Sequence, residues 1–280
     1  MRVTHLTRIL FTSLILSTAL SACGGSKNER EMKALEAERP ADELYNRAQA
    51  AMKADEYLTA RKLFDEVERQ HPYSKYAIDA QLQSAVASYR MLDYDAAVIA
   101  LDRFVELHPG HESVPYAIYL KGLCYYEQIS DVKRDQQMTQ QALDVFDTLV
   151  RRFPDSDWSR EAIYKRDLTL DHLAGKEMEV GRYYLTRGYT QAAINRFQYV
   201  VKNYDTTTHT PEALHRLVEA YLELGLEAQA VQVASVLGHN YPGSKWYERT
   251  YELLNPQLRE KLKADRSWTD KTADWLLGSD

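Results

Sequence analysis

The segment RRFPDSD (residues 151–157) recurs in variant form along the chain and marks the repeating unit of its fold. Every copy places an aromatic residue or a histidine before a proline or an aspartate, with small or polar residues after it. Such a cluster ends a helix, because proline cannot donate the next backbone hydrogen bond. The other four copies are ERQHPYS (68–74), ELHPGHE (106–112), KNYDTTT (202–208) and GHNYPGS (238–244).

A helical pattern precedes every copy. Counted back from the proline or aspartate, the residue at −12 is always alanine, and the residues at −8 and −5 are apolar. Spacings of four and three place all three positions on one face of a helix, which predicts that this face is buried. The fifteen residues are Ala60, Phe64, Val67, Ala97, Leu101, Phe104, Ala142, Phe146, Leu149, Ala193, Phe197, Val200, Ala230, Ala234 and Leu237.

A second helix in each unit carries a small residue, which permits close approach of two helix axes. Ala48, Ala85 and Gly181 lie twelve residues before the alanines at −12, and Gly122 lies twenty before its own; the fifth unit has Val218 instead. Tyrosines recur three residues after three of these positions, and we expect them to pack in the core: Tyr125, Tyr184 and Tyr221. This spacing resembles the tetratricopeptide (TPR) repeat. The predicted fold is all-α, a TPR-like α-solenoid of about five helix–turn–helix repeats.

The intervals between the turns are irregular in two places. They measure 37, 45, 51 and 37 residues, from Pro72 to Pro242. The first long interval contains an insertion at 127–135. The second contains 159–179, which is helix-like throughout and predicts a repeat extended into one long helix.

The N-terminus has the features of an export signal followed by an attachment point. Arg2 and Arg8 precede a short apolar run, and Leu20-Ser21-Ala22-Cys23 resembles the lipobox of bacterial lipoproteins. We predict a lipoprotein signal peptide (1–22), a lipidated Cys23 with a flexible tether (23–40), five repeats (41–247) and a C-terminal helical extension and tail (248–280). The alternative is an ordinary signal peptide, with Cys23 a thiol whose only possible disulfide partner is Cys124.

Composition and motifs argue against several classes of function. The formal net charge is −6 and no basic block occurs, so nucleic-acid binding is not expected. His108 and His111 are three residues apart, but they fall on the repeated turn, which explains them without a metal. No nucleophile elbow or phosphate-binding loop is found. We therefore predict no enzyme, no metal and no cofactor. Tyr73, Tyr76, Tyr89 and Tyr94 do not fit the core period and suit peptide recognition.

Local stretches give the chain a resemblance to the BamD family of outer-membrane β-barrel assembly lipoproteins. Val180 to Tyr189 resembles a family stretch in which paired tyrosines precede Arg-Gly. Ala193 to Phe197 resembles the segment that carries a partner-binding arginine, and Lys133 to Gln137 resembles the family's insertion in repeat three. Together with the lipobox, the tether and the repeats, this resemblance covers the chain from Leu20 to about Tyr247.

The resemblance implies a lipid-anchored protein of the outer membrane that faces the periplasm. It implies that the chain receives unfolded outer-membrane proteins and couples them to the barrel subunit of the assembly machinery, alongside accessory lipoproteins. The residues that it implies for substrate binding are His71, Pro72, Tyr73, Ser74 and Tyr76. Those that it implies for partner binding are Tyr183, Arg187 and Arg196. The alternative function is a periplasmic TPR lipoprotein that serves as a scaffold for peptidoglycan or cell-division machinery.

Overall fold

A computed structural model describes residues 39–264, which form helices and connecting turns without any strand. Most helices begin after a repeated turn or after a short loop within a repeat. In chain order they are α1 (Ala41–Lys53), α2 (Tyr57–Gln70), α3 (Ala77–Arg90), α4 (Tyr94–Leu107), α5 (Val114–Tyr126), α6 (Gln137–Arg152), α7 (Asp157–Thr186), α8 (Thr190–Asn203), α9 (Thr210–Glu223), α10 (Glu227–Asn240), α11 (Lys245–Leu253) and α12 (Pro256–Ala264). The predicted fold class, all-α with TPR-like helix pairs, is confirmed.

The described chain divides after Ala100 into two compact units, and the division falls within α4. In the N-terminal unit (39–100), α2 packs against both α1 and α3. In the C-terminal unit (101–264), each helix from α5 to α10 packs against the next, and α11 and α12 pack on α9 and α10. Each unit has its own apolar core, one around Phe64 and the other around Phe197.

The five copies of the repeated turn share one hydrogen-bond pattern. In the first copy, the amide of His71 donates to the Val67 carbonyl, that of Ser74 to His71, and that of Ala77 to Ser74, at 2.9–3.1 Å. The copy with aspartate in place of proline makes the same three bonds, so the proline is not required for the geometry. The equivalent donors are His108, His111, Val114, Phe153, Ser156, Ser159, Tyr204, Thr207, Thr210, Tyr241, Ser244 and Tyr247.

The predicted buried face is confirmed in every repeat. All fifteen residues at −12, −8 and −5 are buried, with at most 1% of their surface exposed. The two glycines of the partner helices explain how the axes come together. A methyl group on Gly122 would lie 2.3 Å from Cε1 of Phe146, and one on Gly181 would lie 2.4 Å from Cε1 of Phe197. Only glycine leaves room for these rings.

The loops that join the two helices of a repeat also recur. In four of them, one residue adopts a left-handed conformation, a common way to end a helix. The residue that follows then donates its amide to a carbonyl five residues earlier, as Tyr189 does to Tyr184 at 3.0 Å. Glycine occupies this position twice, but the N-terminal unit places Asp55 and Leu92 there. The φ angles are +58° for Asp55, +61° for Leu92, +74° for Gly188 and +72° for Gly225.

The two irregular places in the sequence lie against each other. α7 is a single helix of 30 residues, which confirms the predicted long helix. The insertion folds back onto its middle: Lys176 Nζ donates to the backbone oxygen of Lys133 at 3.0 Å, and Lys133 Nζ lies 3.6 Å from the Glu179 carboxylate. The extra turns of α7 therefore provide the surface on which the extra loop packs.

The C-terminal helices extend the core past the last repeated turn. Leu254, Leu258 and Leu262 are buried in the core of the C-terminal unit. From residue 39 to residue 264, no helix combines the length and apolarity needed to cross a bilayer. The predicted signal peptide, Cys23, the tether up to residue 38 and the tail after residue 264 lie outside the described residues.

Candidate functional site

The first-repeat turn (71–76) contains all five residues predicted to bind substrate, but His71 acts within the protein. Its Nε2 lies 2.5 Å from the backbone oxygen of Arg39. Because a carbonyl oxygen only accepts, the Nε2 of His71 is the donor. The amide of Arg39 in turn donates to Oε1 of Gln70 at 3.0 Å. His71 and Gln70 therefore hold the chain where it enters α1.

Tyr76 also makes internal contacts. Its ring stacks on that of Tyr45, with centroids 5.0 Å apart and planes 25° from parallel, and Lys75 Nζ lies 5.0 Å from its centroid. The Tyr45 hydroxyl donates to the Asp79 carboxylate and accepts from Nε2 of Gln49 at 2.9 Å. Burial, together with the hydrogen bond to Asp79, raises the pKa of Tyr45 to about 12. The stacked pair of Tyr45 and Tyr76 thus stabilises the turn by packing α1 against its last residue.

Two of the three remaining residues of this turn have exposed side chains, and the third has a buried hydroxyl group. The side chain of Tyr73 is completely exposed, and that of Pro72 is exposed beside it. The hydroxyl oxygen of Ser74 is buried and makes no hydrogen bond within residues 39–264. Of the five predicted residues, Pro72 and Tyr73 therefore present the accessible surface. Of the other tyrosines singled out, Tyr89 and Tyr94 pair with each other, their centroids 5.9 Å apart.

The three residues predicted to bind a partner lie at the end of α7 and in the middle of α8, two helices that pack against each other. The guanidinium of Arg187 lies 5.3 Å from the centroid of the Tyr183 ring, which is 54% exposed. Tyr184 links Tyr183 to the start of α8, because its ring lies 6.0 Å from that of Tyr183 and 6.3 Å from that of Tyr189. We call the exposed residues here the α7–α8 surface: Tyr183, Arg187, Tyr189, Arg196 and Tyr199.

Arg196 is held by an internal carboxylate and still reaches solvent. Its Nη1 donates to Oε2 of Glu177 at 2.9 Å, and 45% of its side chain remains exposed. The hydrogen bond to Glu177 raises the pKa of Arg196 further above its ordinary value. A guanidinium has five N–H donors, so one bond to Glu177 leaves others for a partner. Glu177 fixes the direction in which Arg196 is presented.

Sequence reasoning missed three members of this arrangement. Glu177 lies in a different helix from Arg196, nineteen residues earlier, and no local spacing connects the two. Tyr199 was detectable, because it lies three residues after Arg196 and such residues are neighbours on a helix surface. Tyr189 lies within the quoted family stretch and is 62% exposed. The tyrosines expected in the core differ in burial: Tyr221 is buried, whereas Tyr125 and Tyr184 are half-buried.

The histidine pair belongs to its turn. The rings of His108 and His111 lie 5.3 and 5.6 Å from that of Phe104, and Nδ1 of His111 accepts from the amide of Ser113. The described part of the chain contains no group of three or more potential metal ligands. Cys124 is a fully buried thiol, and burial raises its pKa to about 12, which disfavours the reactive thiolate.

Comparison with known proteins gives consistent matches over most of the chain. The profile of the YfiO family, described as outer membrane lipoprotein, matches residues 37–250. Outer membrane protein assembly factor BamD of Caulobacter vibrioides is 42% identical, over 91% of this chain and 85% of the relative. The protein of the same name from Rickettsia prowazekii is 40% identical, over 89% and 97%. Among solved structures, the TPR2AB domain of yeast Sti1 is 12% identical with a TM-score of 0.39, covering 85% of this chain and 97% of that one.

Proposed function

Since the chain belongs to the BamD (YfiO) family of outer membrane lipoproteins, and so acts in outer-membrane protein assembly, we propose that it binds both the barrel subunit and unfolded substrates. The α7–α8 surface binds the periplasmic part of the barrel subunit. The exposed first-repeat turn binds segments of unfolded outer-membrane proteins. The family is one of assembly factors, in agreement with the prediction that the chain is not an enzyme.

The observation that carries the proposal is the convergence of exposed aromatic and arginine side chains on the α7–α8 surface. Tyrosine and arginine are enriched in protein interfaces and among the residues that contribute most to binding. Tyr183, Tyr189 and Tyr199 are each close to half exposed or more, although they are large and partly apolar. Arg196 adds a charge that Glu177 holds in place. A partner with a carboxylate and a flat apolar surface complements this arrangement.

The first-repeat turn supports substrate binding through Tyr73. A fully exposed tyrosine offers a large amphipathic ring to an extended peptide with alternating apolar and polar residues. His71 and Tyr76 support this role indirectly, because they fix the turn on which Tyr73 stands. We assign Pro72 and Tyr73 to contact with substrate, and His71 and Tyr76 to positioning. Ser74 is assigned to neither group, because its hydroxyl is buried and makes no hydrogen bond within residues 39–264.

The anchor is proposed at Cys23, with the folded chain on the periplasmic side of the outer membrane. Its support is the family description together with the lipobox in the sequence. Metabolic labelling with a fatty acid tests it: the wild-type protein takes up label and the Cys23→Ser variant does not. Label retained by Cys23→Ser would exclude Cys23 as the attachment point.

Co-purification of the barrel subunit in mild detergent tests the α7–α8 surface. We expect Arg196→Glu to reduce the recovered barrel subunit about tenfold or more, since it places a carboxylate beside Glu177 and opposite the partner's acid. Arg160→Glu is the matched control, because Arg160 is also exposed and ion-paired, and its substitution changes the net charge by the same amount. Equal recovery with wild type and Arg196→Glu would remove Arg196 from the interface. Absence of the barrel subunit from the wild-type sample would refute the proposed function.

A further inference from the structure

A second group of cations surrounds Trp246, and none of its members is among the residues assigned above; Lys245 and Arg249 are exposed and Arg216 is half-buried. The guanidinium of Arg249 lies 5.0 Å from the centroid of the Trp246 ring, Nζ of Lys245 lies 5.2 Å away, and the guanidinium of Arg216 lies 5.7 Å away. All three are within the distance at which a cation is attracted to an aromatic face. Arg216 comes from α9 and the others from α11, so tertiary packing assembles the group. We call these four residues the Trp246 site.

Buried contacts hold the indole in one place. His215 is almost fully buried, and its ring lies 5.2 Å from that of Trp246. Nδ1 of His215 lies 2.8 Å from Oγ1 of Thr250, which donates to the backbone oxygen of Trp246 at 2.8 Å. These contacts join α9 both to the indole ring and to the backbone of α11. A side chain fixed in this way loses little conformational entropy on binding, which favours its use as an anchor.

The charges of the Trp246 site are only partly compensated within the protein. Arg216 pairs with Glu219 at 2.7 Å and lies 3.5 Å from Glu212. Burial alone would raise the pKa of Glu219, but the hydrogen bonds from His215 and Arg216 outweigh it and lower that pKa. Lys245 and Arg249, by contrast, pair with no carboxylate between residues 39 and 264.

The acidic residue nearest to these two cations in sequence is Glu248, between them on α11. It is exposed and makes no ion pair with either of them. Two cations therefore remain available beside a half-buried, immobilised indole, on a chain whose net charge is −6. An acidic ligand is the electrostatic complement of this local arrangement.

We propose that the Trp246 site docks an acidic segment of another protein, with carboxylates on Lys245 and Arg249 and an apolar or aromatic side chain against the indole. The indole is the feature that favours a protein segment over a bare anion, because an anion would be bound by the cations alone. Tryptophan and arginine together are the residues on which binding energy concentrates in protein interfaces. This inference does not depend on the α7–α8 surface.

Fluorescence anisotropy of the full chain in mild detergent tests the proposal. The probe is a fluorescein-labelled peptide of Glu-Asp-Phe triplets, at an ionic strength of about 0.15 M, where long-range electrostatic attraction is screened within about 8 Å. We expect the double variant Lys245→Glu/Arg249→Glu to bind this peptide about tenfold or more weakly than wild type. Trp246→Leu keeps the cations and removes the indole, and it too should weaken binding.

The matched control is Lys53→Glu/Arg151→Glu, which changes the net charge equally at exposed residues elsewhere and should bind like wild type. Loss of binding in that control, or equal binding of a peptide of Lys-Arg-Phe triplets, would show a nonspecific charge effect and overturn the proposal. Failure of Trp246→Leu to weaken binding would overturn the role of the indole. If phosphatidylglycerol vesicles bind through Lys245 and Arg249 and the acidic peptide does not bind, the site recognises lipid headgroups and the proposal is wrong.

Discussion

The first-repeat turn and the α7–α8 surface both gather tyrosines with basic side chains, yet they use these residues in opposite ways. In the turn, Tyr76 stacks beneath the loop on Tyr45, and His71 is occupied by the backbone of Arg39. On the α7–α8 surface, Tyr183 is 54% exposed, and Arg196 reaches solvent while paired with Glu177. Residue type alone does not separate a packing aromatic from a binding one. Contacts with residues distant in the sequence do.

The two regions differ most in the small residue that the first helix of each repeat places in the core: glycine below the α7–α8 surface and alanine below the first-repeat turn. Gly181 supports the α7–α8 surface, and a methyl group there would lie 2.4 Å from Cε1 of the buried Phe197. We expect Gly181→Ala to lower the free energy of unfolding by about 2 kcal/mol, because the crowded core must shift. Urea unfolding monitored by circular dichroism measures this loss of stability. Binding to the barrel subunit should also weaken, because Arg196 is displaced.

The first repeat supplies the control for this substitution. Ala48 occupies the equivalent position and its methyl group is already accommodated. We expect Ala48→Gly to cost about 1 kcal/mol through the greater entropy of the unfolded chain, with no displacement of the turn. If Gly181→Ala is as stable as wild type, contact with Phe197 does not set the distance between α7 and α8.

Within the turn, Tyr76 and Tyr73 should respond in opposite ways. Removing the half-buried ring by Tyr76→Ala should lower the free energy of unfolding by about 1–2 kcal/mol, through loss of apolar area and of the stack on Tyr45. Tyr73→Ala should leave stability within about 0.5 kcal/mol, because the side chain is fully exposed.

Binding of a peptide with the sequence of an outer-membrane β-strand is the second readout for this pair. Tyr73→Ala should weaken it, since Tyr73 offers the largest accessible side chain of the turn. Tyr76→Phe, which keeps the stacked ring, should not weaken it. Peptide binding unchanged in Tyr73→Ala would exclude Tyr73 as a substrate contact.

Sequence patterns predicted the repeat core well because the residues that define it are close together in the sequence. The alanine at −12 and the apolar residues at −8 and −5 lie within one helix, and all fifteen are buried as expected. The long helix α7 was likewise readable from one continuous stretch. Packing of the insertion against α7 was not, because Lys133 and Lys176 are joined only by the tertiary fold.

The candidate sites were predictable in outline and not in detail. The placement of Tyr183, Arg187 and Arg196 on two helices that pack together follows from the helix–turn–helix geometry of one repeat. The roles of His71 and Tyr76 depend on Arg39 and Tyr45, more than thirty residues away. Trp246 shows the same limit, since Arg216 contacts its ring from α9, and the whole of α10 and two connections separate the two residues in sequence.

Alkaline pH should lower the free energy of unfolding through Tyr45, whose pKa is about 12 in the folded protein. An unfolded tyrosine loses its proton near pH 10. Below about pH 10 both states keep the proton and the full stabilisation remains. As the pH rises from there through about 12, the unfolded state ionises first, and the stability linked to the protonated Tyr45 hydroxyl, through its burial and its hydrogen bond to Asp79, is lost.

Comparison of wild type with Tyr45→Phe isolates this effect, because the substitution keeps the ring that stacks on Tyr76. At neutral pH we expect Tyr45→Phe to cost about 1 kcal/mol through loss of the hydrogen bond. The wild type should then lose stability more steeply than the variant between about pH 10 and 12, by about 1 kcal/mol once solvent screening is allowed for. Parallel curves of unfolding free energy against pH would contradict the assignment of the raised pKa to Tyr45.

The smallest effect concerns the loops within the repeats, where Leu92 and Gly188 share a left-handed conformation at φ +61° and +74°. A leucine there is strained by its Cβ, and 69% of this side chain is exposed, so it gains little from packing. We expect Leu92→Gly to raise the free energy of unfolding by about 0.5–1 kcal/mol, the relief of strain exceeding the added entropy of the unfolded chain. Gly188→Leu should do the reverse. Thermal unfolding of the two variants measures both changes, and a destabilised Leu92→Gly would show that Leu92 makes apolar contacts that outweigh its strain. If Leu92→Gly is more stable and also binds the β-strand peptide less well, the strained leucine is a binding residue retained at a cost in stability, as strained residues at functional sites often are.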